Sequence, residues 1–186
     1  NKSIMAHCVH LPEEEIAMLK ENGAFVAHCP ESNMNIASGI SPVCRLLAED
    51  INVGIGSDVA GGTTLSLPKA MALAIQCSKI YWRYIDKKYG YLNLENAFFM
   101  ATKGGGKFFG KVGSFEDGYE FDALVLDDKS IATYVDFTLK ERLERLIYLG
   151  TKHNIKNKFV ITVFDLCDHI IQILKLVLVH LDNAKS

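Results

Sequence analysis

The chain has 186 residues, 49% of them hydrophobic and 23% charged, enough apolar material for one domain or slightly more around a buried core. Twenty Lys and Arg stand against 22 Asp and Glu, with no long block of one sign, which argues against nucleic acid as a partner. The five cysteines, Cys8, Cys29, Cys44, Cys77 and Cys167, are odd in number and form no C-x-x-C pair, so the expectation is a reducing cytoplasm rather than a disulfide framework or zinc ribbon.

The opening residues, Asn1 to His7, hold neither an initiator Met nor an apolar signal core, so the chain is expected to start inside a longer protein. Three short apolar runs follow, each leading into a loop and an amphipathic stretch, which is the pattern of βα units feeding a parallel sheet. The first is Ser3 to His7. Leu11 and Pro12 then open a helix with Glu13, Glu14 and Glu15 in its first turn, where the helix dipole favours acids, and Asn22-Gly23 ends it. The second run is Ala24 to His28, followed by Cys29-Pro30-Glu31-Ser32-Asn33 read as a loop, and Ser41-Pro42 begins the next helix. The third is Asn52 to Gly56, ending in Ser57-Asp58, after which Val59-Ala60-Gly61-Gly62-Thr63-Thr64 reads as a loop whose backbone can come close to a ligand.

A long helix is predicted through Leu67, Met71, Ala74, Ile75, Ser78 and Trp82, and another from an Asn93 N-cap to a break at Gly104-Gly105-Gly106. Beyond a division near residue 110, Gly118 to Asp127 reads as a turn and a strand, Lys140 to Leu149 as a helix, and Phe159 to Phe164 as a strand. Cys167 to Leu181 reads as a helix. Its most apolar tract, Ile170 to Leu181, is interrupted by Gln172 and Lys175 and is far short of the ~20 residues that cross a bilayer, so no membrane partner is expected. Tyr81, Trp82 and Tyr84 read as packing residues beside Ile75 and Ile85.

Ala6-His7-Cys8 and Ala27-His28-Cys29 occupy the same place in two successive units, and each unit closes its strand with a polar residue. In parallel sheets the loops at the carboxyl ends of the strands converge on one crevice, so His7, His28 and Asp58 should share a face. The types suit metal-assisted hydrolysis of a C–NH2 bond. A carboxylate such as Asp58 can hold a metal and take a proton from water, and an imidazole such as His7 can orient that water or stabilise developing charge. Residue type alone leaves the matter open, because a strand-end histidine is more often a hydrogen-bonded structural group than a ligand.

Met5-Ala6-His7-Cys8, then Ala27-His28-Cys29-Pro30-Glu31-Ser32-Asn33, then Gly54-Ile55-Gly56-Ser57-Asp58-Val59-Ala60-Gly61-Gly62 resemble, in order and spacing, the last three strand-end motifs of guanine deaminases of the amidohydrolase superfamily. Gly113 to Ala123 resembles that family's return into its small β-domain, and the likeness runs over about residues 3 to 155. The His-Cys-Pro-x-Ser-Asn string is shared with nucleoside and triazine deaminases; the Asp-Val-Ala-Gly-Gly string favours guanine. The resemblance implies an α/β fold: the C-terminal part of a (β/α)8 TIM-type barrel (last three βα units) over residues 1–110, with part of a small β-domain and an atypical apolar tail over 111–186.

It further implies hydrolysis of guanine to xanthine and ammonia, with Asp58 as metal ligand and proton acceptor, and with His7 and Asp58 both catalytic and touching the substrate. His28 is implied to shape the pocket or support the ligands from behind. One divalent metal is implied, zinc as the usual ion and iron as the other candidate. The implied setting is a small-molecule purine substrate, a cytoplasmic location and a homodimer of the full-length protein. Departures are equally specific. The family's His-x-His on its first strand and His-x-x-Glu on its fifth are absent, and His10 belongs to the loop after His7; after about Lys156, Lys158-Phe159-Val160 can begin the family's closing strand, but the Cys167 to Leu181 tract does not resemble the family. The sequence therefore reads as a fragment that lacks part of the metal site, inactive and marginally stable alone. The alternatives are a deaminase of another amino-heterocycle (an adenosylhomocysteine-type nucleoside, an aminotriazine or cytosine) or a truncated chain with only a structural role.

Overall fold

The structure, a computed structural model, describes residues 2–131 and 134–160. Three short strands form a parallel sheet in the order β1 (Ile4–Ala6), β2 (Phe25–His28), β3 (Asn52–Ile55). The register is direct: Ala6 lies beside Ala27, and Ala27 beside Gly54. Neighbours in a parallel sheet share a face, so Val26 and Val53 point the same way, and both are buried in the main apolar cluster. That cluster is closed by α1 (Glu13–Glu21) through Ile16 and Leu19, by α3 (Val43–Ala48) through Val43 and Leu46, and by α4 (Leu67–Tyr84) through Leu67, Met71, Ala74 and Ile75. Leu46, Leu67 and Met71 are fully buried, and a large apolar side chain in that position contributes about 1.5–3 kcal/mol. The predicted βα alternation is therefore present, and α1 begins where the proline and three glutamates placed it.

One element differs from the sequence reading. Pro30–Asn35 is a short helix, α2, not a loop. Pro30 stands at its first position with Glu31 in the first turn, close to the Pro12 N-cap and acidic first turn that open α1, and it went unread because only one turn and a half follows.

The glycine run is also different from expectation. Asn93 caps α5 (Leu94–Phe99) as predicted, accepting from Asn96 N at 2.8 Å, but the chain then continues as a wider π-helical turn, Met100–Gly104, rather than stopping. The glycines serve contact. A Cβ on Gly54 would stand 3.0 Å from the Gly105 Cα, and one on Gly104 would stand 3.0 Å from Val53 O. Bare backbone on both sides lets this helix lie directly on β3.

After residue 110 come β4 (Ala123–Leu126), α6 (Leu139–Leu149) and β5 (Ile155–Phe159). β4 and β5 pair antiparallel, with an irregularity between Val125 and Leu126. β5 meets the predicted strand Phe159 to Phe164 only at Phe159, residues 161–164 lying outside the described residues; its earlier part went unread because Ile155-Lys-Asn-Lys-Phe is exposed throughout and shows no apolar alternation. It is held by backbone pairing instead. Leu124 and Ile147 join the main cluster, and α6 packs on α4. Trp82 packs edge to face on Tyr91, centroids 5.3 Å apart, whereas Tyr84 is 78% exposed. The predicted helix at Cys167 to Leu181 lies outside the described residues.

Candidate functional site

The site forms where β1 and β3 end. The backbone at His7, Cys8 and Asp58 takes left-handed values, φ 68°, 49° and 46°, a conformation that costs a non-glycine residue on the order of 1 kcal/mol. Cross-strand and local bonds hold it: His7 N donates to Ala27 O at 2.9 Å, Cys8 N to Ala6 O at 2.8 Å, and Gly62 N to Asp58 O at 2.6 Å. The turn swings both side chains to the same end of the sheet. His7 Nε2 and Asp58 Oδ2 stand 3.9 Å apart, with side chains 39% and 38% exposed. The two residues singled out from the sequence are thus brought together, facing each other beside solvent.

α2 supports both of them. Asn33 Oδ1 meets His7 Nδ1 at 2.8 Å, and Asn33 itself is 1% exposed. Two residues on, Asn35 Nδ2 donates to Gly61 O at 2.9 Å, and at the start of the helix Glu31 accepts from Thr63 N at 3.1 Å and from the Thr63 hydroxyl. Gly61 and Gly62 are needed because other parts of the protein come close to them. A Cβ on Gly61 would lie 2.6 Å from Ser32 Oγ and 2.8 Å from Asp58 Oδ2, and one on Gly62 would lie 2.1 Å from Ser57 O. Glu31 and Asn33 were quoted in the sequence as part of a motif without roles, and Asn35 was not singled out. Read as a helix, Glu31 and Asn35 stand at i and i+4 on the side of the Asp58 loop, while Asn33 between them turns to His7.

His28 does not join the pair. It is 1% exposed, and neither ring nitrogen has a hydrogen-bond partner among the described residues; burial drives its pKa down to about 4, so the ring is neutral at physiological pH. His10 lies in the loop after β1, its Nε2 2.9 Å from Ser38 O. Cys29 is buried against Gly56, and its thiol is pushed up to about 11, first by burial and then by the Asp58 carboxylate. Cys8 is raised as well, by burial and then Glu15. Both shifts disfavour the thiolate, the nucleophilic form of cysteine. Among the described residues, no group of three or more His, Cys, Asp or Glu side chains is placed to hold a metal. Among the same residues, no helix is long and apolar enough to cross a membrane.

The chain resembles known proteins over most of its length. Guanine deaminase from Mus musculus is 36% identical over 172 residues, spanning 86% of this chain and 37% of that protein. The crystal structure of guanine deaminase from C. acetobutylicum, with guanine bound in the active site, superposes with a TM-score of 0.80 at 52% identity, covering 84% of this chain and 37% of that one. An adenosine deaminase from Xanthomonas campestris with bound zinc superposes at 0.72 with 28% identity, covering 84% and 35%. The chain therefore spans little more than a third of the length of these relatives. A model of the amidohydrolase family runs over residues 1–161 and takes in every strand and helix described above; this chain belongs to the amidohydrolase family.

Proposed function

We propose that this chain supplies the late strand-end half of the active site of a guanine deaminase, in which water replaces the amino group of guanine to give xanthine and ammonia. The observation that carries the reading is the His7–Asp58 pair, two half-exposed groups 3.9 Å apart at the carboxyl ends of parallel strands. The relative solved with guanine bound, at 52% identity, supports the substrate. In this reading β1, β2 and β3 are the last three βα units of a (β/α)8 barrel. Residues from about 111 onward contribute part of a small β-domain, and the whole protein is a cytoplasmic homodimer.

Asp58 accepts the proton lost by the attacking water. His7, held at Nδ1 by Asn33, presents Nε2 to the substrate and to the charge that develops as the ring carbon becomes tetrahedral. The proton then passes to the departing nitrogen, so guanine and water become xanthine and ammonia without a redox step. The metal fits only in part: Asp58 is a carboxylate with an accessible oxygen, but it and His7 are fewer than the three or four protein ligands that zinc takes. A divalent metal, zinc first and iron as the other candidate, would lower the pKa of the attacking water toward 7, with Asp58 its ligand on this chain.

Ammonia release from guanine by the whole protein tests the proposal, and the 186-residue chain alone is expected to be inactive. The zinc-bound adenosine deaminase relative favours one second reading, an amino-purine nucleoside as substrate. A panel of guanine, adenine nucleosides, an aminotriazine and cytosine separates the two. Turnover of any of these with guanine untouched would overturn the choice of guanine, and no turnover of any of them would leave a structural role.

A further inference from the structure

We infer that Asn33 is a positioning residue that fixes which nitrogen of His7 faces Asp58. This rests on the proposed function for its kinetic consequence, but not for its geometry. A histidine at a reacting centre has two distinct nitrogens, and the partner of one decides what the other can do. Asn33 Oδ1 lies 2.8 Å from His7 Nδ1, and a carboxamide oxygen can only accept. Nδ1 therefore carries hydrogen, and Nε2, turned toward Asp58, is the nitrogen left to exchange a proton or accept a hydrogen bond.

Asn33 is suited to the task because it cannot turn freely. It is 1% exposed, its backbone N–H donates to Cys29 O at 3.1 Å, and its backbone carbonyl accepts from Ser38 N at 2.9 Å and from Ser38 Oγ at 3.2 Å. Its own Nδ2 is buried and unpartnered among the described residues. That orphan donor is a cost on the order of 1 kcal/mol that a leucine of similar volume would not carry. The same helix clamps the Asp58 loop through Asn35 and Glu31. One rigid turn and a half thus sets the ring of one partner and the loop of the other.

The test is nitrogen-15 NMR of the histidine side chains in the whole protein, with His7 assigned by its loss in His7→Gln. The structure predicts a protonated Nδ1 at His7; an unprotonated Nδ1 would overturn the inference, and this readout holds even if guanine is not the substrate. Kinetically, Asn33→Leu should lower kcat about 10- to 100-fold, the usual consequence of losing such a supporting bond, with KM changed less than threefold. Asn33→Asp, which keeps an acceptor toward Nδ1, should recover most of that loss. Were Asp as damaging as Leu in proteins of unchanged melting temperature, the oxygen would not be the group that matters and the assignment would fall.

Discussion

The parallel sheet and the antiparallel pair are built on different terms. β2 and β3 are largely buried, the chain turns left-handed at His7 and Cys8 after β1 and at Asp58 after β3, and short helices and glycines press against the sheet. β5 is exposed along its whole length, and its partner β4 contributes Ala123 and Leu124 to the interior. The first region spends conformational energy to hold two polar groups in one place; the second closes the fold with ordinary backbone pairing. Substitutions should separate the two regions sharply.

The largest effect is expected at Asp58. Asp58→Asn removes a proton acceptor without changing shape, and ammonia release from guanine by the whole protein should fall about 10²- to 10⁴-fold. Retention of activity within a factor of three would break the comparison at its strongest point.

Next is His28, a neutral imidazole in a dry place. Burial holds its pKa at about 4 against 6.5 when unfolded. Between those values the unfolded chain binds a proton that the folded chain does not, so folding stability should fall as the pH drops from about 6.5 toward 4, by about 3 kcal/mol in all, and should gain nothing from this group above 6.5. Urea titrations at pH 7 and pH 4.5 measure the difference. His28→Phe should flatten it, and an unchanged slope in that variant would show that other groups carry the acid sensitivity.

Gly54→Ala comes third. Its Cβ would sit against the Gly105 Cα, where no flexible side chain can give way. Overpacking of this kind costs about 1–3 kcal/mol, read as a lower urea midpoint. The smallest effect belongs to the antiparallel pair. Lys156, 54% exposed, reaches Asp127 at 3.5 Å, and Lys156→Ala should shift stability by less than about 1 kcal/mol and leave kcat unchanged. A large kinetic effect there would mean that the second region takes part in the chemistry.

The sequence made the strand ends legible because two simple periods coincide: short apolar runs closed by a polar residue, at the one end of a parallel sheet where loops converge. That pattern marked His7, His28 and Asp58 alike, and the family resemblance singled out His7 and Asp58, 51 residues apart; the helices follow from Pro12, Asn93 and the acidic first turn of α1. What a linear reading lost was contact between segments. Gly104 to Gly106 look like a break until β3 is seen to press on them. Asn33 looks like one letter of a motif until its carboxamide meets a ring 26 residues away. β5 carries no apolar alternation to read, since its strand exists through its partner.

The most direct test is a double-mutant cycle on the whole protein, comparing kcat/KM for guanine in His7→Gln, Asp58→Asn and the double variant. If the two side chains act as one hydrolytic unit, the double variant should lose no more than about threefold beyond the worse single variant. Losses that multiply in full, or a single variant that retains activity, would show that the imidazole and the carboxylate 3.9 Å apart do not share a reaction.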